Sequence, residues 1–252
     1  MKKLLVRYDL AFFFLLTYLL SWWAAPFMKG ALIPYGPAIA AVIVIALTTG
    51  KDGLRDYWRR LANWRAGWWF LIAPAIVIGY TGFAYLINIW LGAEVLQTPH
   101  WLSTGVFLQL LFLGGQWEEP GWTGYALPRM RERFAGHPNG SLAAVLMLGV
   151  FRAIWHLPLF FYGKIPWFDI FLFSFAFQIM IAWLYDRSGK SVLVVMVFHF
   201  TSNIMGAVMA PVFAGADQVT FLALFMSLAS LFAITLVAVS QRKLRRQKAI
   251  AV

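Results

Sequence analysis

The sequence contains no cysteine, and only 12% of its 252 residues are charged. The first absence excludes a disulfide framework, a thiol nucleophile and any cysteine-ligated zinc or iron–sulfur centre. The second excludes a water-soluble globule, which carries about 25% charged residues. Acidic side chains are the scarcest, with 10 Asp+Glu against 21 Lys+Arg and a net charge of +11. What fills the chain instead is apolar: 62% hydrophobic, 18% aromatic, mean hydropathy +0.72. In a soluble protein the basic excess would point to nucleic acid. Here the apolar blocks are long enough to cross a bilayer, so the basic residues are read for topology and no nucleic-acid partner is expected.

Apolar runs of roughly 17–25 residues mark spans. They fall near Leu10–Phe27, Pro34–Thr49, Trp68–Leu91, Gly105–Tyr125, Ala143–Phe161, Trp167–Tyr185, Val192–Ala210 and Thr220–Val239. The expected fold is therefore all-α: a polytopic bundle of about eight helices, one integral-membrane domain over residues 1–252. With the N-terminus placed inside, 18 of the 21 basic residues fall in inner segments, Lys29 and Lys164 lie outside, and Arg152 sits within a span. That skew obeys the positive-inside rule with both termini cytoplasmic. The first span reads as a retained helix, because Trp22, Trp23 and Pro26 spoil a signal-peptidase site around Ala24-Ala25. Between spans two and three, Leu54, Trp58, Leu61 and Trp64 recur at helical spacing opposite Arg55 and Arg59, which predicts a short amphipathic helix lying in the inner interface. The run Gln241–Lys248 reads as a polybasic stop for the last span. No repeat, linker or soluble domain is visible.

An ionisable group at the centre of a transmembrane helix costs about 2.5–3.5 kcal/mol on insertion scales, so the few present are functional candidates. They are Glu118 and Glu119 in span four, Arg152 and His156 in span five, and His199 in span seven, four residues before Asn203 and on the same helix face. Asp169 and Asp186 lie near helix ends, where water reaches them. Each candidate alone has an ordinary explanation as interhelical glue or as part of a proton relay. Their joint occurrence on three helices points to one polar cavity and a catalytic core over about residues 105–210.

Two chemistries fit one carboxylate and two imidazoles. Glu118, His156 and His199 match the His₂Glu set of a catalytic zinc site with water in the fourth position. Without metal, a glutamate activates water with the help of one histidine, while the other histidine and the amide donate to an oxyanion. Both are amide hydrolysis inside the membrane, and the residues alone leave the choice open. A His-Glu-x-x-His helix and a Gly-x-Ser-x-Gly elbow are absent, and an aspartyl dyad has only the boundary residues Asp186 and Asp217 to draw on.

These motifs resemble those of the CAAX protease and bacteriocin-processing (CPBP) family, to which the eukaryotic CAAX prenyl endopeptidases belong. Its signatures are EExxxR, FxxxH and HxxxN. Glu118 to Thr123 is similar to the first, Arg152 to His156 to the second, and His199 with Asn203 fits the third. The resemblance implies Glu118 and His156 as the water-activating pair, His199 and Asn203 as the oxyanion site, and Glu119 as a supporting carboxylate. Members of the family are described both as metalloproteases and as metal-free enzymes, so zinc stays an open expectation. Two positions depart from the pattern. Thr123 replaces the Arg of the first motif, and Arg152 replaces the Phe of the second. We expect Arg152 to supply from a neighbouring helix the guanidinium that position 123 lacks, steadying Glu119 or a substrate carboxylate. The simpler reading is a packing ion pair.

The expected protein is thus an intramembrane endopeptidase of the bacterial inner membrane, acting on a membrane-embedded or membrane-proximal peptide. The competing expectations are an inactive relative that binds peptide or confers bacteriocin immunity, and a proton-coupled transporter. The transporter is disfavoured because the polar residues cluster in one half of the chain. Nothing in the sequence marks a prenyl pocket.

Overall fold

The computed structural model describes residues 2–100 and 102–250, with residue 2 and residues 241–250 as backbone. Among the described residues all regular elements are helical. In chain order they are α1 (Lys2–Arg7), α2 (Asp9–Trp22), α3 (Gly36–Thr48), α4 (Gly50–Leu61), α5 (Trp69–Trp90), α6 (Thr104–Leu113), α7 (Glu119–Gly121), α8 (Leu127–Arg133), α9 (Gly140–Trp155), α10 (Leu157–Phe161), α11 (Ser174–Arg187), α12 (Val192–Met209) and α13 (Gly215–Ile250). Four stretches are long and apolar enough to cross a membrane: Trp69–Trp90, Asp169–Arg187, Val192–Met209 and Gly215–Ser240. The helices Asp9–Trp22, Gly36–Thr48 and Gly140–Trp155 are shorter and apolar. The molecule is a multi-pass membrane bundle. The side chains of the basic run 241–248 lie outside the described residues.

Gly105–Tyr125 is not one continuous span. Helix α6 stops at Leu113, and Gly114 turns extended with ψ 164°. The chain then continues as a tight 3-10 turn over Gly115–Glu118, the short α7, and a wide π turn over Trp122–Ala126. Pro120 brings no N–H for the carbonyl of Gln116, and three polar side chains within four residues have to face protein and not lipid. Broken backbone at membrane depth survives only where the protein covers it, and residues 118–127 are all buried. Ala143–Phe161 is likewise broken, at His156, because Pro158 cannot donate to the carbonyl of Ile154. The freed end of α9 is met from α2: Tyr18 donates its hydroxyl to the Phe151 carbonyl (3.0 Å) and Trp22 its indole N–H to that of Trp155 (3.0 Å).

Lipid tails are as apolar as leucine, so close packing and polar bonds hold such helices together more than apolar transfer does. Fully buried Trp122 lies among Phe13, Phe14 and Trp155, and Phe14 stacks on Phe151 at 3.7 Å. Gly121 lets this segment touch the backbone of α3, since a Cβ there would overlap Pro37. At the basic end, buried Asp9 accepts from Arg133 (2.8 Å) and Tyr125 (3.2 Å) and pairs with Arg129 (3.3 Å), fixing the start of α2 to α8. Helix α4 ends at Leu61, so Trp64 follows it instead of forming its last turn. Its buried anchor is Tyr57, packed beside Gly124. Ser191 caps α12 and donates to the Asn63 carbonyl (2.7 Å), which sets the register of that helix beneath the site.

Candidate active site

The broken segment between α6 and α8, the end of α9 and the middle of α12 converge in the bundle. Glu119 is completely buried, and its carboxylate is fully engaged. Arg152 grips it with two bonds of 2.8 and 3.1 Å, Thr123 donates its hydroxyl at 2.6 Å, and His199 Nδ1 lies 2.7 Å from Oε1. A carboxylate only accepts here, so Nδ1 carries the proton and His199 turns Nε2 to the other side. Phe177 holds the ring edge-to-face at 4.9 Å.

Glu118 is the opposite case. It is buried, yet among the described residues Oε2 has no hydrogen-bond partner, and it lies 3.8 Å from Arg152 Nη1. Its other oxygen, Oε1, shares a small space with His199. A Cβ added to Gly115 would sit 2.9 Å from Glu118 Oε1 and 2.8 Å from His199 Cε1, closer still to Nε2. The absence of a side chain at 115 is what lets the backbone pass this close to both groups. A buried carboxylate oxygen without a hydrogen bond costs free energy.

His156 Nδ1 faces the Arg152 carbonyl at 2.9 Å, so it too donates and keeps Nε2 free. Trp155 packs across the ring at 5.0 Å. No direct hydrogen bond joins His156 to Glu118 among the described residues, and Nε2 of His199 is the imidazole nitrogen seen to share the space of Glu118. Asn203 donates Nδ2 to Gln116 Oε1 at 3.3 Å. Thus Glu118, Glu119, Arg152 and His199 are brought together, Asn203 adjoins the same segment through Gln116, and His156 is held by its own helix end.

Among the described residues no group of three His, Asp or Glu side chains is arranged to hold a metal ion. The donors of the zinc set, Glu118, His156 and His199, do not converge as ligands, and the nearest carboxylate to His199 Nδ1 is already saturated by Arg152 and Thr123. Two features escaped the sequence reading. Gly115 gave no signal without the geometry, whereas Gln116, a buried amide opening the Glu118-Glu119 motif, was visible as a polar residue inside an apolar run.

The site of this helical membrane protein thus holds a buried carboxylate close to one fixed imidazole, with an amide and a second imidazole on the neighbouring segments. Residues 99–205 match the family of type II CAAX prenyl endopeptidases described as Rce1-like. The chain is also 26% identical, over 194 residues and 67% of each chain, to the CAAX prenyl protease 2 of Methanococcus maripaludis. Over these residues the chain is similar to the CAAX-protease family, and the two likenesses support an intramembrane protease.

Proposed function

We propose that the protein is an endopeptidase in which Glu118 activates water for attack on a peptide carbonyl within the bilayer. The observation that carries this reading is the unpartnered Oε2 of buried Glu118, whose Oε1 lies with His199 Nε2 close against Gly115. In this reading Glu118 takes the proton of the attacking water while His156 Nε2, kept free by the Nδ1 bond, orients that water. The carbonyl oxygen gains negative charge and is met by His199 Nε2 as a donor and by Asn203 Nδ2. Collapse of the tetrahedral intermediate breaks the C–N bond, and the proton held by Glu118 passes to the leaving amine. General-base catalysis of this kind is worth roughly 10²–10⁴-fold, and one oxyanion donor about 10²–10³-fold. Glu119 stays ionised in its clamp and never meets substrate, acting only to aim His199.

The substrate class is a peptide or protein embedded in or lying against the membrane, with the lipid bilayer as its medium. The gathering of basic residues at one end of the bundle supports an inner-membrane placement with cytoplasmic termini. The test is cleavage of quenched membrane peptides by purified wild type and Glu118→Gln. The wild type cleaves and the variant does not. Equal cleavage by both removes Glu118 from the mechanism.

A further inference from the structure

We infer that Gln116 is a positioning residue that sets which way Asn203 points its amide. The inference rests on the reading of Asn203 as an oxyanion donor given above. Helix α6 ends at Leu113: the Gly114 N–H still reaches the Leu110 carbonyl at 2.9 Å, and the carbonyls after it lose their helical partners. The Gln116 side chain folds back on this end: Nε2 donates to the Leu110 and Leu111 carbonyls, both at 2.8 Å. Trp117 Nε1 joins at the Leu111 carbonyl, also at 2.8 Å. Both protons of the Gln116 amide are thereby committed to acceptors that cannot act as donors. Its orientation is not free to flip, and Oε1 has to face away from α6, toward α12.

There it accepts from Asn203 Nδ2 at 3.3 Å. Because Gln116 offers Asn203 only an acceptor, Asn203 has to answer with its NH₂ group. One of the two amide protons is spent on Gln116, and the second stays on the same side, beside the backbone of Gly114: a Cβ at Gly114 would lie 3.1 Å from Asn203 Nδ2. An Asn203 flipped by 180° would set Oδ1 against Oε1, lone pair to lone pair, and would present an acceptor to a developing oxyanion. The backbone end of α6 thus dictates a donor orientation on α12, through one buried side chain that is 4% exposed. A plain helix cap would need only the Nε2 bonds.

The experiment is a double-mutant cycle in detergent on a fluorogenic peptide chosen from a quenched membrane-peptide library because the wild type cleaves it. The variants are Gln116→Met, Asn203→Ala and the pair, with Gln116→Lys as a second probe that can still donate to the two carbonyls but cannot accept. Gln116→Met and Gln116→Lys each lower kcat about tenfold or more at unchanged KM in the Asn203 enzyme. In the Asn203→Ala enzyme, already slowed about 100-fold, the same changes alter kcat less than twofold. Equal fold losses in both backgrounds overturn the inference and leave Gln116 a cap of α6. Wild-type kcat in Gln116→Met and Gln116→Lys, with Asn203→Ala impaired, overturns it as well. If Asn203→Ala itself cleaves at the wild-type rate, the oxyanion assignment falls and the inference with it. If Gln116→Met does not fold, Gln116→Lys, which keeps the cap, decides the cycle alone.

Discussion

Arg152 and Glu119 form a bidentate ion pair, with bonds of 2.8 and 3.1 Å between two side chains that are 1% and 0% exposed. The pair joins α9 to the broken segment and, through Glu119, reaches His199 on α12. Removing one partner of a buried pair leaves an uncompensated charge, which costs about 3–5 kcal/mol. Arg152→Phe is therefore expected to lower the melting temperature in detergent sharply. Thr123→Arg alone also destabilises, because a second guanidinium is forced into a filled site. Combined, the two changes move the cation to a position four residues from Glu119 on its own segment. The double variant melts higher than Arg152→Phe alone. If both single changes and the double are equally harmless, the pair does not support the site.

Glu118→Gln is expected to abolish cleavage and leave the melting temperature within a few degrees of wild type, or above it. The carboxylate makes no bond at Oε2 that the fold depends on, and a neutral amide is easier to bury. Melting curves alongside peptide cleavage check this. A variant that unfolds would make Glu118 a structural residue.

Gly115→Ala places a methyl group between Glu118 Oε1 and His199. Its expected effect is a loss of cleavage of at least 100-fold with the helical circular dichroism retained, since the methyl overlaps both side chains and has to push them out of place. Full activity would show that the reacting carbonyl binds elsewhere.

Stringent chelation is expected to leave cleavage unchanged, and metal analysis of the active enzyme to find less than one zinc per chain. Loss of activity on chelation, restored by added zinc, would return the Glu118, His156 and His199 ligand set to the mechanism.

The sequence by itself determined the membrane class, because scarcity of charge and long apolar runs leave no other solvent for this chain. It also determined the candidate residues, since Glu118, Glu119, Arg152, His156, His199 and Asn203 stand out wherever polar groups are expensive. Composition and spacing could not tell the two adjacent glutamates apart. Tertiary structure did so by giving Glu119 four hydrogen bonds from three side chains and leaving Glu118 Oε2 with none, a distinction set by which helix ends meet. The same holds for the breaks at Gly114 and His156. Hydropathy counts residues along the chain and reads both stretches as spans, whereas a broken backbone is allowed only where neighbouring helices cover it. The direction of the Asn203 amide lies furthest from the sequence. It follows from carbonyls left over at the end of α6, which exist only once that helix has stopped.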